Sequence, residues 1–252
     1  MGIIKFKIET MLNFILIHGS WHGGWCWDKI KSDLEVLGHN VLAPTLPGMD
    51  YNDQPMPRDV GLTEHIEFIC DLIVEKGLSD VILVGHSYGG LVITGVAVRM
   101  PGKISKLIYL DAFLPSPGES LFDLSNPDRV QMMNASLVDE NGKTREQGGI
   151  DPYLLPIRDP KFFGVEDEAL AKSIINRLVR TSVKTFTDKV DVGTVSDKID
   201  KYYIRCTKFP INERSENKAK ELGYRCYRLD EGHDVMLTAP DVLMDLLKKL
   251  VH

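Results

Sequence analysis

The chain has 252 residues, of which 43% are hydrophobic and 26% are charged, and its formal net charge is −6 at pH 7. This composition is typical of a globular protein with a substantial core, and the negative charge argues against a nucleic-acid surface. No apolar stretch is long enough to span a membrane, and the charged N-terminus does not have the form of a secretory signal. We therefore expect a cytoplasmic protein that binds neither nucleic acid nor membranes.

The predicted strands and helices alternate along the chain. We expect strands at residues 14–17, 40–43, 81–84, 106–110, 202–206 and 224–229. We expect helices at residues 27–37, from an N-cap at Thr63 to residue 77, from 91 to 100, at 215–222, and from 240 to the end. Between residues 113 and 198 the loops are longer, and residues 167–181 carry the clearest helical pattern there.

This alternation predicts an α/β fold in which helices cover both faces of a mostly parallel sheet. We expect residues 1–252 to form one domain, with residues 113–198 inserted between core elements. In such sheets, functional residues collect where the strands end at their carboxyl side.

The four cysteines show neither metal-ligand spacing nor a C-x-x-C pair. Cys26, Cys70, Cys206 and Cys226 lie far apart in the sequence. In a reducing compartment, such residues usually behave as small buried hydrophobes.

Ser87 lies in the segment Gly85-His86-Ser87-Tyr88-Gly89, between a buried strand and a helix. Such a turn brings the chain close to its neighbours, so the residues beside the serine must be small. The N–H groups at the start of the following helix favour a negative charge that develops near the serine. The segment therefore predicts a nucleophile.

His233 follows the last predicted strand, in the loop that begins at Gly232. A serine hydroxyl needs a base to remove its proton, and histidine has a suitable pKa for this. A histidine late in the chain also matches the order serine, acid, histidine of one large hydrolase fold. We therefore predict that His233 is the general base for Ser87.

The loop from His18 to Trp25 follows the first predicted strand and is rich in glycine. Acyl transfer needs backbone N–H groups that face the oxyanion, and an early loop supplies one of them in this fold. We predict Ser20 and Tyr88 as these donors. We expect Trp25 to pack under the loop, and His22 to have a structural role rather than a catalytic one.

Five segments together resemble the α/β-hydrolase branch that contains plant methyl-ester esterases, hydroxynitrile lyases and related bacterial esterases. They are "FILIHGSWHGGWCWDKI", "VLAPTLPGMD", "VGHSYGG", "LIYLDAFLP" and "EGHDVMLTAP". The resemblance runs from about residue 12 to the C-terminus and is weakest between residues 120 and 200. It implies the same roles for Ser87, His233, Ser20 and Tyr88, a small helical cap at about 113–198 over an apolar pocket, and no metal or cofactor.

The triad acid of this family is absent from its usual place, two residues after a Cys-Thr pair. Here Lys208 and Phe209 follow Cys206-Thr207, and that loop contains no aspartate. Three alternatives remain open. Asp111, which ends the preceding core strand, reaches His233; Glu213 folds back from further along the loop; or no acid is present.

The lyase members that the chain resembles have a lysine directly after the catalytic histidine, where it stabilises cyanide. This chain has Asp234 there, and a carboxylate beside His233 would repel cyanide. The lyase members also have a threonine in the early loop, where this chain has Ser20. The leading hypothesis is therefore an esterase that acts on a small carboxylic ester, ahead of a carbon–carbon lyase and a small-molecule binding module.

Two properties have no clear signature in the sequence. Residues 1–10 fit either an edge strand, because they alternate in polarity, or a disordered extension. The oligomeric state is equally open, and a homodimer is compatible with the sequence.

Overall fold

The computed structural model describes residues 11–52, 55–190 and 193–251. The edge strand considered for the first ten residues lies outside this described part. No helix among the described residues is both long enough and apolar enough to cross a bilayer.

The described residues contain strands and helices in alternation. The strands are β1 Asn13–Ile17, β2 Asn40–Leu42, β3 Val81–His86, β4 Ile104–Leu110, β5 Leu154–Leu155, β6 Thr181–Ser182, β7 Asp200–Cys206 and β8 Arg225–Leu229. The helices are α1 Asp28–Val36, α2 Leu62–Glu75, α3 Gly89–Arg99, α4 Leu121–Leu124, α5 Pro127–Ala135, α6 Glu168–Ile174, α7 Lys184–Thr187, α8 Glu213–Glu221, α9 Val235–Thr238 and α10 Pro240–Val251.

Six strands form one sheet in the order β2-β1-β3-β4-β7-β8, and every pair in it is parallel. This confirms the predicted α/β fold. Gly85 at the end of β3 is in register with Ile17 of β1 and Tyr109 of β4, and Tyr109 is in register with Tyr203 of β7. The carboxyl ends of these strands therefore lie side by side, at the edge where the sequence predicts the site.

Strand β3 shows why the sheet needs helices on both faces. All six of its residues are buried. Val81 and Leu83 belong to one apolar cluster, while Ile82 and Val84 belong to a second cluster on the other side. A continuous β-branched strand is stable only when both of its faces are covered.

The chain between β4 and β7 is built from short elements, α4 to α7 and the antiparallel pair β5-β6. The helix predicted at residues 167–181 is wrong in length. Asp167 caps the helix as expected by accepting a hydrogen bond from the N–H of Leu170 at 2.7 Å, but α6 ends at Ile174. A 3-10 turn follows at Ile175–Arg177, and the chain is extended from Leu178, where Val179 N–H bonds to the carbonyl of Trp21 at 2.9 Å.

Helix α2 begins earlier than predicted, because its N-cap is Gly61 rather than Thr63. The Glu64 carboxylate accepts from the Gly61 N–H at 2.7 Å, and Asp188 accepts from the Leu62 N–H at 3.0 Å. Asp188 lies far along the chain, so no local pattern could have located this cap. The other predicted elements that the structure describes agree with it to within two residues at each end.

Candidate active site

Ser87 occupies the turn between β3 and α3 with a φ of +54°. Such a left-handed conformation is uncommon for a residue with a side chain and is found where a site requires it. The flanking glycines are needed for space. A Cβ on Gly85 would lie 2.6 Å from the carbonyl oxygen of Gly89, and one on Gly89 would lie 2.8 Å from that of Ile17.

His233 lies on the loop after β8, with its Nδ1 atom 2.7 Å from Oδ2 of Asp111. Both side chains are almost fully buried. The ring is held between two aromatic groups, Phe209 at 4.1 Å and His86 at 4.3 Å between centroids. The imidazole therefore has a fixed plane and a fixed partner for Nδ1.

The other oxygen of Asp111 is held by the neighbouring strand β7. Oδ1 accepts from Nη1 of Arg205 at 2.7 Å and from the N–H of Cys206 at 3.1 Å. The side-chain amide of Asn212 donates to the backbone carbonyl of Asp111. Asp111 itself has a φ of +41°. Both oxygens of the Asp111 carboxylate are therefore held by hydrogen bonds.

Of the two acids considered from the sequence, the structure brings Asp111 to His233 and leaves Glu213 exposed at the start of α8. Phe209 occupies the position two residues after the Cys-Thr pair, where the family has its acid. It packs its ring against His233 instead of presenting a carboxylate.

Gly19 brings the early loop against the serine, since a Cβ there would lie 2.8 Å from the Cβ of Ser87. Among the hydrogen bonds of the described residues, none uses the backbone N–H of Ser20 or Tyr88. The Ser20 hydroxyl is also buried without a partner among them. Near the serine, two backbone N–H groups therefore have no partner among the residues that the structure describes.

His18 orients the peptide group that carries the Ser20 N–H. Its Nε2 atom accepts from the N–H of Leu46 at 3.0 Å, so Nδ1 is the donor to the Gly19 carbonyl at 2.8 Å. The Gly19 carbonyl and the Ser20 N–H belong to one planar trans peptide and point in opposite directions. Burial lowers the pKa of His18 to about 3, so the ring remains neutral and keeps this tautomer.

His22 joins the same loop to the histidine loop. It contacts the Ser20 carbonyl through Nδ1 at 2.9 Å and Oδ2 of Asp234 through Nε2 at 2.9 Å. Burial alone would lower the pKa of His22, but the Asp234 carboxylate outweighs burial and raises it. Asp234 thus points into the protein toward His22, whereas the cyanide argument from the sequence placed its charge beside the substrate.

His65 and His86 make hydrogen bonds to residues next to the nucleophile and the base. His65 accepts from the Tyr88 hydroxyl at 2.8 Å and donates to the Pro47 carbonyl at 3.0 Å, which turns the Tyr88 side chain away from the site. His86 donates from Nε2 to the His233 carbonyl at 3.0 Å, and burial keeps its pKa well below the usual value. Sequence reasoning missed His65 because nothing near it in the chain marks a role.

The side chains around Ser87 enclose about 10 Å³ of free space, which is about the room for one water. The lining is mostly aromatic and apolar and comes from both the sheet edge and the cap: Ser20, Trp21, Ser87, Phe113, Leu121, Arg129, Phe162, Phe163, Phe186, Phe209 and His233. Phe162, Phe209 and His233 also line a larger outer cavity of about 500 Å³. The cap residues among these carried no recognisable sequence signal.

Three indole rings lie in or directly after the early loop: Trp21 and Trp27 are buried, and Trp25 is half-buried. Trp25 packs on His22 and lies under the Arg177 guanidinium. Within residues 11–52, 55–190 and 193–251, no group of three or more metal-ligating side chains is arranged to hold a metal ion.

Relatives of the chain include both esterases and a lyase. A 114-residue stretch is 50% identical to a carbendazim hydrolyzing esterase of Nocardioides sp. (strain SG-4G), and it covers 45% of this chain and about half (47%) of that protein. The chain is 28% identical to Methylesterase 7 of Arabidopsis thaliana, over 94% of this chain and 95% of that one. It is 36% identical to alpha-hydroxynitrile lyase of the same plant, over 96% and 98%.

A solved structure described as an extracellular alpha/beta-hydrolase from a Paenibacillus species superposes with a TM-score of 0.79 at 26% identity, over 94% of this chain and 98% of that one. A sequence model of the alpha/beta hydrolase family matches residues 14–246. These matches confirm the resemblance that the motifs predicted. The chain belongs to the alpha/beta hydrolase family.

Proposed function

We propose that this protein is a serine hydrolase that cleaves small carboxylic esters. The observation that carries the proposal is the contact of 2.7 Å between Asp111 Oδ2 and His233 Nδ1. His233 lines the same cavity as Ser87. A nucleophile, a base and an acid thus follow β3, β8 and β4 at one edge of the sheet.

In the proposed reaction, the Asp111 carboxylate accepts a hydrogen bond from Nδ1–H of His233, which fixes the tautomer that leaves Nε2 free to accept the Ser87 proton. Ser87 Oγ then attacks the ester carbonyl. As the imidazole becomes positively charged, the buried Asp111 carboxylate stabilises it. His233 returns the proton to the departing alcohol, and an acyl group remains on Ser87.

The N–H groups of Ser20 and Tyr88 receive the oxyanion of the tetrahedral intermediate. Their freedom from other hydrogen bonds in the described structure supports this role. Preorganised donors of this kind lower the barrier because they need no rearrangement when charge develops. Water then enters, gives its proton to His233 and attacks the acyl-enzyme by the same route.

The free space around Ser87 is narrow, and we infer that cap side chains shift to admit an ester. Phe162 and Phe209 separate the serine from the outer cavity of about 500 Å³, which makes them the candidate barrier. The aromatic lining favours an apolar portion of the substrate.

The relatives support an ester-hydrolysing enzyme, since they include a carbendazim hydrolyzing esterase and Methylesterase 7. A hydroxynitrile lyase at 36% identity over nearly the whole chain keeps cyanohydrin cleavage as the second candidate. The structure favours the esterase, because the residue after His233 is Asp234, whose carboxylate pairs with His22. This position therefore has no cation that could stabilise a departing cyanide. The hypothesis of a binding module without catalysis depended on the absence of a triad acid. The contact of Asp111 with His233 argues against that hypothesis.

The test is hydrolysis of p-nitrophenyl acetate and butyrate by the wild type, by Ser87→Ala, and by Ser79→Ala as an exposed serine control. We expect turnover by the wild type and Ser79→Ala and none by Ser87→Ala. A fluorophosphonate should label the wild type with one group per chain, at Ser87. Full esterase activity in Ser87→Ala would exclude the mechanism, and cyanide release from mandelonitrile without ester turnover would establish the lyase instead.

A further inference from the structure

Two arginines of the cap segment contact one aromatic ring near the serine. The Arg129 guanidinium carbon, on α5, lies 5.7 Å from the centre of the Phe162 ring. The Arg158 guanidinium carbon lies 5.6 Å from the same ring and 5.6 Å from the ring of Trp21. Cation–π contacts of this kind fix a guanidinium in place but leave its N–H groups unpaired.

Neither guanidinium has a hydrogen bond or an ion pair with any residue that the structure describes. Nη1 of Arg129 and Nε of Arg158 are nevertheless buried. Arg205, the buried arginine behind Asp111, shows the usual solution, because it bonds to a carboxylate. Each guanidinium is only partly buried, but one N–H group of each lies where water does not reach it, and such a donor is unfavourable without a hydrogen-bond acceptor.

The lowered pKa values of both arginines also indicate a site that favours an anion. Burial lowers the pKa of Arg129 to about 10, and the positive charge of Arg158 contributes to this. Burial also lowers the pKa of Arg158. Two like charges held close together in a partly desolvated site attract an anion that takes up their free N–H donors.

The position of the pair connects it to the reaction. Arg129 lines the same cavity as Ser87 and His233, together with Phe162. Arg158 contacts Phe162 and Trp21, which both line that cavity. An anion bound here therefore belongs to the molecule whose ester group is at the serine.

We propose that Arg129 and Arg158 form a subsite for a carboxylate on the ester substrate, so that the preferred substrates are monoesters of dicarboxylic acids or similar anionic esters. This inference rests on the proposed esterase function and narrows its substrate class. The carboxylate is held by charge-assisted hydrogen bonds from the buried N–H groups, while the ester carbonyl lies between Ser87 and the donors of Ser20 and Tyr88. A phosphate group could accept the same hydrogen bonds, and the binding experiment below distinguishes a phosphate from a carboxylate.

The kinetic test compares monomethyl esters of malonate, succinate, glutarate and adipate with neutral isosteres, such as methyl 5-methylhexanoate for the glutarate ester. We expect the wild type to prefer one anionic ester in kcat/KM. Arg129→Met and Arg158→Met should each reduce that preference by roughly 10- to 100-fold, the range of a charged hydrogen bond, mostly through KM. Arg145→Met is the matched control, because Arg145 is an exposed arginine of the same cap segment.

A binding measurement makes the subsite testable without turnover. Glutarate should bind the Ser87→Ala protein in calorimetry, should be displaced only poorly by an equal concentration of inorganic phosphate, and should bind at least tenfold more weakly when Arg129→Met is added. Tighter displacement by phosphate would identify the anion as a phosphate and overturn the carboxylate assignment. Should Arg129→Met fold poorly, Arg129→Lys keeps the charge but loses the planar fork, and a partial loss of preference is expected.

The outcomes separate this inference from the proposed function. If p-nitrophenyl acetate is hydrolysed through Ser87 while anionic and neutral esters react equally in wild type and variants, the enzyme is an esterase and the subsite is wrong. If no ester is hydrolysed but glutarate binds in an Arg129-dependent manner, the anion site stands and the esterase proposal fails. Equal losses for both ester types in Arg129→Met would show a structural role only, and would also overturn the subsite.

Discussion

Arg205 Nη1 lies 2.7 Å from Oδ1 of Asp111, the carboxylate whose other oxygen contacts His233. The arginine and the aspartate are both buried. Phe209 occupies the position after β7 where the family has its acid, and its ring packs on His233. Strand β7 also contains Arg205, whose guanidinium lies behind the Asp111 carboxylate. The Asp111 carboxylate is therefore held by Arg205 at one oxygen and by His233 at the other.

This pair predicts strong coupling in stability. Arg205→Met should lower the free energy of unfolding by about 3 to 5 kcal/mol, because it leaves the Asp111 carboxylate buried without its cation. Asp111→Asn should also destabilise, and the double variant should lose clearly less than the sum of the two single losses. Urea unfolding of all four proteins measures this cycle. The exposed pair Lys29–Asp33 is the control and should couple by less than about 1 kcal/mol; additive losses for the buried pair would contradict the account.

His18 is expected to act on the reaction only through the peptide that it orients. His18→Leu removes the donor to the Gly19 carbonyl, so the Ser20 N–H is no longer aimed at the oxyanion, and kcat should fall by about 10- to 100-fold with little change in KM. His18→Asn can place a donor near the position of Nδ1 and should recover most of the loss. Steady-state kinetics on p-nitrophenyl butyrate gives both constants, and a loss confined to KM would count against this role.

Gly19 should tolerate no side chain, because a Cβ would lie 2.8 Å from the Cβ of Ser87 and 3.1 Å from Nδ1 of His86. We expect Gly19→Ala to lose at least about 100-fold in kcat, since the misplaced group is the nucleophile itself. The cost in stability should be within about 1 to 3 kcal/mol. Gly102→Ala is the control, because a Cβ there meets nothing within 4 Å, and wild-type kinetics in Gly19→Ala would show that the loop does not approach the serine as described.

The buried histidines predict a loss of stability in acid. Burial lowers the pKa of His65 to about 4 in the folded protein, so only the unfolded chain takes up its proton as the pH falls from about 6.5 toward 4. The stability contribution is complete above about pH 6.5 and decreases below it, by about 2 to 3 kcal/mol at pH 4.5 for this one group. His65→Gln keeps a donor and an acceptor but does not titrate, so urea unfolding between pH 7 and 4.5 should show a shallower slope. An unchanged slope would mean that His65 is charged in the folded state.

Much of the site was predictable because its residues follow the strands directly. The buried run from Val81 and the glycine-flanked Ser87 carry a signal within ten residues of sequence. His233 and Asp111 each come directly after or near the end of a predicted strand, and parallel strands bring such positions together. The pairing of Asp111 with His233 rather than Glu213 could not be decided from spacing, because it depends on the sheet order β4-β7-β8 and on Arg205.

The cap was much less predictable, because its residues are placed by distant partners. The extended chain after α6 is bound to Trp21 through the N–H of Val179, and the cap of α2 depends on Asp188. Arg129 and Arg158 carry no signal in the sequence, and their contact with the same ring, Phe162, depends on the fold of the cap. Local periodicity has no information about such contacts.

The most direct measurement is the turnover number of Asp111→Asn beside that of Glu213→Gln. The account predicts that Asp111→Asn loses about 10³- to 10⁴-fold in kcat on p-nitrophenyl butyrate, because its neutral amide can donate to Nδ1 of His233, favours the wrong tautomer and does not stabilise the imidazolium, while Glu213→Gln retains wild-type activity. Circular dichroism and the unfolding midpoint verify that Asp111→Asn is folded at the assay temperature. Wild-type turnover in folded Asp111→Asn, or a comparable loss in Glu213→Gln, would contradict the assignment of Asp111 as the acid.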